Sequence, residues 1–198
     1  MTTRRVLVAA AAVAVVAASP AVARPLPACL AYADAKGDSG PGGATALGDP
    51  SLDVTRVRVS SENGSWVARL TVAGFAERPE LAAGNRYEVL FTVGGSRVRV
   101  YWKTSPTRDE ESTLYLQQGL YVNDEPRHDQ VSGRVDGDVV TIAVKHTMLS
   151  SALGFRADGQ RATAVSAEAY GSYVAQKAAW DAAPAPGSAG FVVGRACR

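Results

Sequence analysis

The chain has 198 residues, of which 46% are hydrophobic and 20% are charged, a composition typical of a folded domain rather than a disordered segment. Its 21 basic residues include Arg4 and Arg5, which lie in a segment that we expect to be removed, so the mature chain has 19 basic and 19 acidic residues. A neutral chain lacks the cationic field that binding to nucleic acid or to an anionic membrane requires, and we expect neither partner.

The N-terminal segment has the three parts of a secretory signal peptide. Arg4 and Arg5 precede an apolar run at residues 6–18, and Ala21-Val22-Ala23 follows as a small-residue cleavage site. The run is too short for a transmembrane helix, which needs about 20 apolar residues. We therefore expect residues 1–23 to be a signal peptide and the mature protein to be secreted, extracellular or associated with the cell envelope, without membrane insertion.

Two cysteines lie near the ends of the mature chain, Cys29 and Cys197. An even pair in an exported protein predicts a disulfide. Closing a loop of this length stabilises a fold by about 5 kcal/mol at most in the chain-entropy model. The string Leu26-Pro27-Ala28-Cys29 also resembles a lipobox, which would acylate Cys29 instead, but the proline stands where a small, flexible residue is expected.

Residues 24–48 are rich in Pro, Gly and Ala and show no periodicity, which predicts a loop-like arm anchored by Cys29. Within it, Gly37-Asp38-Ser39-Gly40 copies the nucleophile motif of trypsin-like serine proteases. In that family the catalytic His precedes the Ser, whereas His128 and His146 both follow it. We therefore assign no catalytic residue and expect the chain not to be an enzyme, with a small hydrolase of unrecognised site as an alternative.

From residue 49 onward apolar and polar residues alternate, with turn dipeptides between the alternating segments, which predicts short antiparallel strands. Asn63-Gly64, Gly94-Gly95 and Asp136-Gly137 each predict a hairpin. A two-residue loop at Gly94-Gly95 sets Phe91 opposite Val98. A shift of one residue would turn these side chains to the wrong face, so the register is well specified.

The first of these hairpins contains an unfavourable pair. The loop at Asn63-Gly64 sets Val59 opposite Ala68, and it also sets Arg58 opposite Arg69. Like charges directly opposite each other destabilise a sheet, unless an acid or an anionic ligand lies between them.

Further strands are predicted at residues 114–122, 162–170 and 191–193, and a helical turn at residues 148–155. Residues 49–198 should therefore form one all-β domain, an antiparallel β-sandwich of about eight or more short strands, jelly-roll or immunoglobulin-like in type.

Three aspartates indicate a structural calcium site. Asp49 and Asp53 lie at the entry to the first predicted strand, and Asp181 lies before the last one. Calcium takes several carboxylate and carbonyl oxygens, and a disulfide between the chain ends would make these segments neighbours. The alternative is that all three are turn or capping aspartates. The histidines lack zinc-site spacing, and few haem ligands are present, so neither zinc nor haem is expected.

Four tyrosines are candidates for ligand binding because strand alternation turns them away from the predicted core. Exposed aromatic rings serve as stacking platforms for sugars, although scattered surface tyrosines are also common in proteins without such a role. These candidates are Tyr101, Tyr115, Tyr121 and Tyr170.

Four strings resemble those of DOMON-like and family 9 carbohydrate-binding-module-like β-sandwiches. They lie at residues 48–54, 66–72, 86–92 and 181–194. The resemblance implies a binding or appended module that often carries a structural calcium ion near its paired termini. We therefore expect a secreted, non-catalytic binding module for cell-envelope or environmental glycan. The alternative is a structural or inhibitory envelope protein that binds another protein.

Overall fold

The computed structural model describes residues 27–38, 50–75, 85–104, 118–128, 130–173, 176–187 and 189–197. The expected signal peptide, residues 1–23, and most of the predicted arm lie outside these residues. The described residues form twelve strands and one helix: β1 (Leu30–Ala33), β2 (Val54–Glu62), β3 (Ser65–Val72), β4 (Asn85–Val93), β5 (Ser96–Lys103), β6 (Gln118–Val122), β7 (Glu125–His128), β8 (Val131–Asp136), β9 (Val139–Lys145), α1 (His146–Leu153), β10 (Arg161–Tyr173), β11 (Gln176–Pro184) and β12 (Phe191–Val192).

Two antiparallel sheets pack face to face. The first sheet has the order β1-β2-β3-β9-β8, and the second has the order β11-β10-β4-β5-β6-β7, with β12 also paired to β10. The chain builds three strands of the first sheet, then four of the second, and returns to each sheet with one further hairpin. The all-β sandwich predicted from sequence alternation is confirmed.

The predicted hairpin registers are also confirmed. Phe91 pairs with Val98 across β4 and β5, and Val59 pairs with Ala68 across β2 and β3. Asn63 and Gly64 have φ angles of 48° and 74°, as a type I′ turn requires. In the third hairpin Asp136 pairs with Val139, so the loop residues lie one position later than predicted.

The core lies between the sheets and is filled by aromatic and β-branched side chains. Trp66 of β3 stacks on Phe91 of β4 with ring centroids 5.2 Å apart, and Phe91 meets Phe191 of β12 edge to face at 5.8 Å. Helix α1 overlaps the helical turn predicted at residues 148–155, begins and ends two residues earlier, and buries Leu149. It ends at Gly154, whose φ of 73° gives the left-handed cap that terminates many helices.

The structure differs from the sequence interpretation at the N-terminal arm. Residues 30–33 form β1, which pairs with β2 so that Leu30 lies opposite Val59 and Tyr32 opposite Val57. Leu30 and Tyr32 are buried, whereas the two alanines of the strand are exposed. A four-residue alternation that contains two alanines gives too weak a periodic signal to identify a strand.

The predicted disulfide between Cys29 and Cys197 is present, with Cα atoms 5.6 Å apart. It fixes the C-terminal segment against the start of β1, where the amide of Val192 also donates a hydrogen bond to the Pro27 carbonyl at 3.1 Å. Among the described residues, no helix is long and apolar enough to cross a membrane.

Candidate metal centre

Strands β1 and β11 are the outermost described strands of their sheets, and they meet along one side of the sandwich. The Tyr32 hydroxyl of β1 donates a hydrogen bond to the Ala183 carbonyl of β11 at 2.7 Å. The amide of Val54, at the start of β2, donates to Asp181 Oδ2 of β11 at 2.8 Å. These bonds close the boundary between the two sheets, which we call the seam.

Four aspartates converge at the seam. Asp34 and Asp38 follow β1, Asp53 immediately precedes β2, and Asp181 lies in β11. One carboxylate oxygen from each of Asp34, Asp38 and Asp181 lies within 4.8 Å of the other two. Asp53 reaches the same segment, because its Oδ2 accepts a hydrogen bond from the amide of Gly37 at 2.7 Å. We call these four residues the aspartate cluster.

Three carboxylate oxygens of the cluster are buried without a hydrogen-bond partner in the described part of the chain: Asp34 Oδ2, Asp38 Oδ1 and Asp53 Oδ1. Asp53 is only 3% exposed and Asp181 only 4% exposed. Burying an unpaired carboxylate costs several kcal/mol, so a folded protein normally offsets it with a proton or a cation.

The electrostatics of the cluster favour such an added positive charge. The pKa of Asp181 is raised to about 6, mainly by burial and also by the charges of Asp38 and Asp34, while the hydrogen bond from the Val54 amide opposes the shift. Burial also raises the pKa of Asp34, as do the charges of Asp38 and Asp53. Without a cation, Asp34 and Asp181 therefore hold protons more readily than isolated aspartates do.

The ligand atoms fit a hard cation. All four side chains offer carboxylate oxygens, which calcium and magnesium prefer, whereas zinc usually takes nitrogen or sulfur ligands. Calcium–oxygen distances of about 2.3–2.6 Å place ligands on opposite sides of the ion about 5 Å apart. The oxygens of Asp34, Asp38 and Asp181 lie within 4.8 Å of one another, which is compatible with that spacing, and Asp53 stands outside this group of three. The ligands also come from separate chain segments, which suits the flexible coordination of calcium better than the strict octahedron of magnesium.

Two of the three aspartates predicted as calcium ligands, Asp53 and Asp181, belong to the cluster, whereas Asp49 lies outside the described residues. The reason for their proximity differs from the one inferred from sequence. Cys29 precedes β1 and Asp34 follows it, so the disulfide lies at the other end of the strand. The pairing of β1 with β2 and the packing of β2 against β11 bring the aspartates together.

Sequence reasoning missed Asp34 and Asp38 because it interpreted their segment as a loop-like arm. One local signal was present: the two aspartates flank a short turn at Lys36-Gly37. Gly37 has a φ of 87°, a left-handed conformation that glycine adopts without strain and that returns the chain toward β1.

Three of the four candidate tyrosines lie on the outer face of the second sheet, and Tyr115 lies outside the described residues. Tyr121 and Tyr170 are half-buried there, but Tyr101 is only 4% exposed. The Arg86 guanidinium covers the Tyr101 ring at 4.2 Å from its centroid, and the Tyr121 ring lies 5.8 Å away. Tyr101 therefore packs within the protein and does not present an open ring to a sugar.

These rings belong to a polar network on that face, which we call the outer-face network. Arg86 forms an ion pair with Glu88, a carboxylate that is almost fully buried. The Tyr170 hydroxyl donates toward Glu88 Oε1 at 3.2 Å and also contacts Glu168. Gly119 faces Tyr101, and a Cβ atom there would lie 2.6 Å from the ring, so only glycine admits this packing.

The residues considered for other chemistry fall into different places. His146 begins α1, and its Nδ1 lies 3.2 Å from Asp158 Oδ1. The side chain of His128 and the residue Ser39 lie outside the described part of the structure.

No protein-family model, curated protein or solved structure matches this chain. The resemblance to DOMON-like and family 9 carbohydrate-binding-module-like domains therefore stays a prediction, and function is argued from the geometry of the molecule.

Proposed function

We propose that this chain is a secreted, non-catalytic β-sandwich module that binds calcium at the aspartate cluster and binds a glycan of the cell envelope or the environment. The observation that carries the proposal is the convergence of Asp34, Asp38 and Asp181, which each place one carboxylate oxygen within 4.8 Å of the other two. Asp34 Oδ2 and Asp38 Oδ1 are buried and have no hydrogen-bond partner among the described residues. A calcium ion shared by these three aspartates would supply that partner.

The role of calcium in this proposal is structural. The three ligands come from the end of β1 and the middle of β11, so one ion would tie the two sheets together. Asp53 supports the site by holding the Gly37 amide, between two of the ligands. Because the ligands assemble only in the folded state, bound calcium stabilises that state by mass action. Extracellular modules bind calcium with dissociation constants of about 10⁻⁴–10⁻³ M. A site of that affinity suits an exported protein, whose compartment also preserves disulfides.

Thermal unfolding tests the calcium site directly. At a free calcium concentration 100 times the dissociation constant, the expected gain is about 2.7 kcal/mol. For a domain of this size that gain raises Tm by roughly 5–10 °C over the value in chelator. Magnesium at the same concentration should give a smaller shift. Equal Tm values in calcium and in chelator would contradict the proposed calcium site.

Two isosteric variants assign the response to the cluster. Asp38→Asn and Asp181→Asn should each abolish most of the calcium-induced shift. In chelator the same variants should be as stable as the wild type or more stable, because each removes one of several like charges. Asp136→Asn is the matched control, since Asp136 is an exposed residue at the end of β8 and outside the cluster. A full calcium response in both cluster variants would contradict the assignment.

The glycan part of the proposal rests on the half-buried rings of Tyr121 and Tyr170, which keep some surface on the outer face of the second sheet. Retention on insoluble and immobilised polysaccharides, at constant calcium, tests it. Tyr121→Ala should weaken retention if this face contacts the sugar. The absence of retention on every polysaccharide would favour a protein partner instead.

A further inference from the structure

A concave groove with a volume of about 1300 Å³ runs along the outer side of β1. One wall is formed by the Cys29–Cys197 disulfide and the C-terminal segment that it fixes. The floor is formed by small side chains of β1, and the remaining positions are taken by Arg56, Arg58 and Arg195. We call this surface the arginine recess.

The recess follows from the register of β1 on β2. Ala31 lies opposite Arg58, and Ala33 lies opposite Arg56. The larger residues of β1, Leu30 and Tyr32, point into the core, so the outer side of the strand carries only methyl groups. Arg56 and Arg58 therefore stand beside a shallow floor, and the disulfide holds Arg195 in the C-terminal segment that forms the wall.

The three arginines of the recess have no directly bonded acid. All three are exposed, and within the described part of the chain their guanidinium groups form no ion pair or hydrogen bond. The charge of Arg58 does act on Glu62, whose pKa it helps to lower. None of the described residues that line the recess is acidic.

Several other arginines on the sheet surfaces are paired, although Arg134 and Arg161 form no ion pair within the described part of the chain. Arg69, directly opposite Arg58, binds Glu62 through both guanidinium nitrogens, with Nη2 2.7 Å from Oε2. Arg97 and Arg99 both pair with Asp124. The acid next to the Arg58–Arg69 pair is thus bound by Arg69, so the like-charge pair still leaves Arg58 available to an external anion.

We propose that the arginine recess binds an acidic glycan through the uronate carboxylates along its chain. This proposal rests on the proposed glycan-binding function and names the ligand class. A guanidinium group binds a carboxylate with two parallel hydrogen bonds, which suits arginine to this contact. Positions 56 and 58 are about 7 Å apart on one face of β2, so the recess matches an extended polymer with repeated charges better than a single anion.

Nucleic acid fits the recess less well. Proteins that bind single strands combine basic grooves with exposed aromatic rings on which bases stack. The only aromatic residue among the described residues of the recess is Tyr32, which is buried and bonded to Ala183. An acidic protein segment would share the carboxylate chemistry, and the experiment separates it from the glycan.

Binding to immobilised hyaluronan, a glucuronate polymer without sulfate groups, tests the proposal. The wild type should be retained at low ionic strength and released by added salt. The double variant R56S/R58S should bind about tenfold more weakly, because it loses two charge-assisted contacts. Arg195→Ser should weaken binding to a smaller extent. The control is R97S/R127S, which removes the same charge from exposed arginines already paired with Asp124 and Glu125.

Parallel measurements on dextran and on poly-glutamate decide between the outcomes. Equal losses in the two double variants would mean attraction by net charge alone and would overturn the proposal. Tighter binding to poly-glutamate than to hyaluronan would also overturn it, in favour of a protein partner. Retention on dextran that depends on Tyr121, without hyaluronan binding, would overturn it while leaving the proposed glycan-binding function intact.

Discussion

Two groups of buried carboxylates in this molecule differ in what surrounds them. In the outer-face network Glu88 is paired with Arg86 and accepts a hydrogen bond from Tyr170, so the chain supplies its own positive charge. In the aspartate cluster, no described Lys or Arg side chain forms an ion pair with any of the four carboxylates, and three of their oxygens have no hydrogen-bond partner.

The difference separates buried acids whose charge is neutralised within the protein from buried acids whose charge requires an added proton or cation. A buried carboxylate with a bonded cation costs little once its partner is in place, whereas the same group without one carries its full desolvation cost. The described residues of the outer-face network therefore account for the burial of Glu88, whereas those around the aspartate cluster do not account for the burial of its carboxylates. Burial alone does not identify a binding site, because Glu88 and Asp181 are equally buried at 4% exposure.

Among the variants that test this comparison, Arg86→Met should have the largest effect on stability. The substitution leaves Glu88 buried without its cation and should lower the free energy of unfolding by about 2–3 kcal/mol. Urea denaturation measures the loss, and the double variant R86M/E88Q should recover most of it. Arg127→Met, which removes an exposed ion pair with Glu125, should cost less than about 1 kcal/mol.

A similar loss in both arginine variants would mean that Glu88 does not depend on Arg86, and the comparison would then fail. The calcium-induced shift of Tm should be unchanged in Arg86→Met, because Arg86 belongs to the outer-face network and not to the aspartate cluster.

A smaller effect is expected from Gly119→Ala. The added methyl group would lie 2.6 Å from the Tyr101 ring and would push that ring away from Arg86. The cost should be about 1 kcal/mol, at the low end for overpacking, because the ring lies on the sheet surface. In a Tyr101→Ala background the same substitution should cost much less. Equal costs in both backgrounds, measured by urea denaturation, would show that the packing of this ring does not support the network.

The smallest effect concerns Glu62, a partly exposed acid that also has its own partners. Hydrogen bonds from Arg69 and Ser60 lower its pKa to about 2. Because the folded-state pKa lies below the ordinary value of 4.5, the stabilisation is present above pH 4.5 and is lost as the pH falls toward 2. Glu62→Gln should therefore cost less than about 1 kcal/mol at pH 7.

The cost of Glu62→Gln should shrink further at pH 3, and unfolding curves at the two pH values measure this change. A cost that stays constant between them would mean that the carboxylate charge contributes nothing, and that Glu62 does not belong with the compensated acids.

The sequence was informative where alternation was long and bounded by turns. Phe91 and Val98 face each other because the Gly94-Gly95 loop fixes the register, and only one register places both in the core. Strand β11 gave no such signal, since its sequence contains adjacent alanines, and alanine fits both the core and the surface. Beta propensity is also low for alanine, so neither pattern nor composition indicated a strand.

The aspartate cluster was only half predictable for a related reason. Asp53 stood at the entry to a recognisable strand. Asp181 was proposed because it precedes the last predicted strand, at residues 191–193, whereas the structure places it within β11. Asp34 and Asp38 follow β1, a strand too short to recognise, and a cluster assembled from separate chain segments depends on contacts that no local pattern encodes. The unpartnered oxygens that identify the site exist only once the sheets have packed.

The seam also determines the order in which the fold can be completed. The bond between Tyr32 and Ala183 joins positions 151 residues apart in the chain, so before the disulfide forms we expect it to close after the hairpins, whose contacts are local. Interactions that form after the transition state act mainly on the rate of unfolding. A calcium ion at the aspartate cluster would therefore slow unfolding and lengthen the lifetime of the folded protein, while leaving its rate of folding almost unchanged.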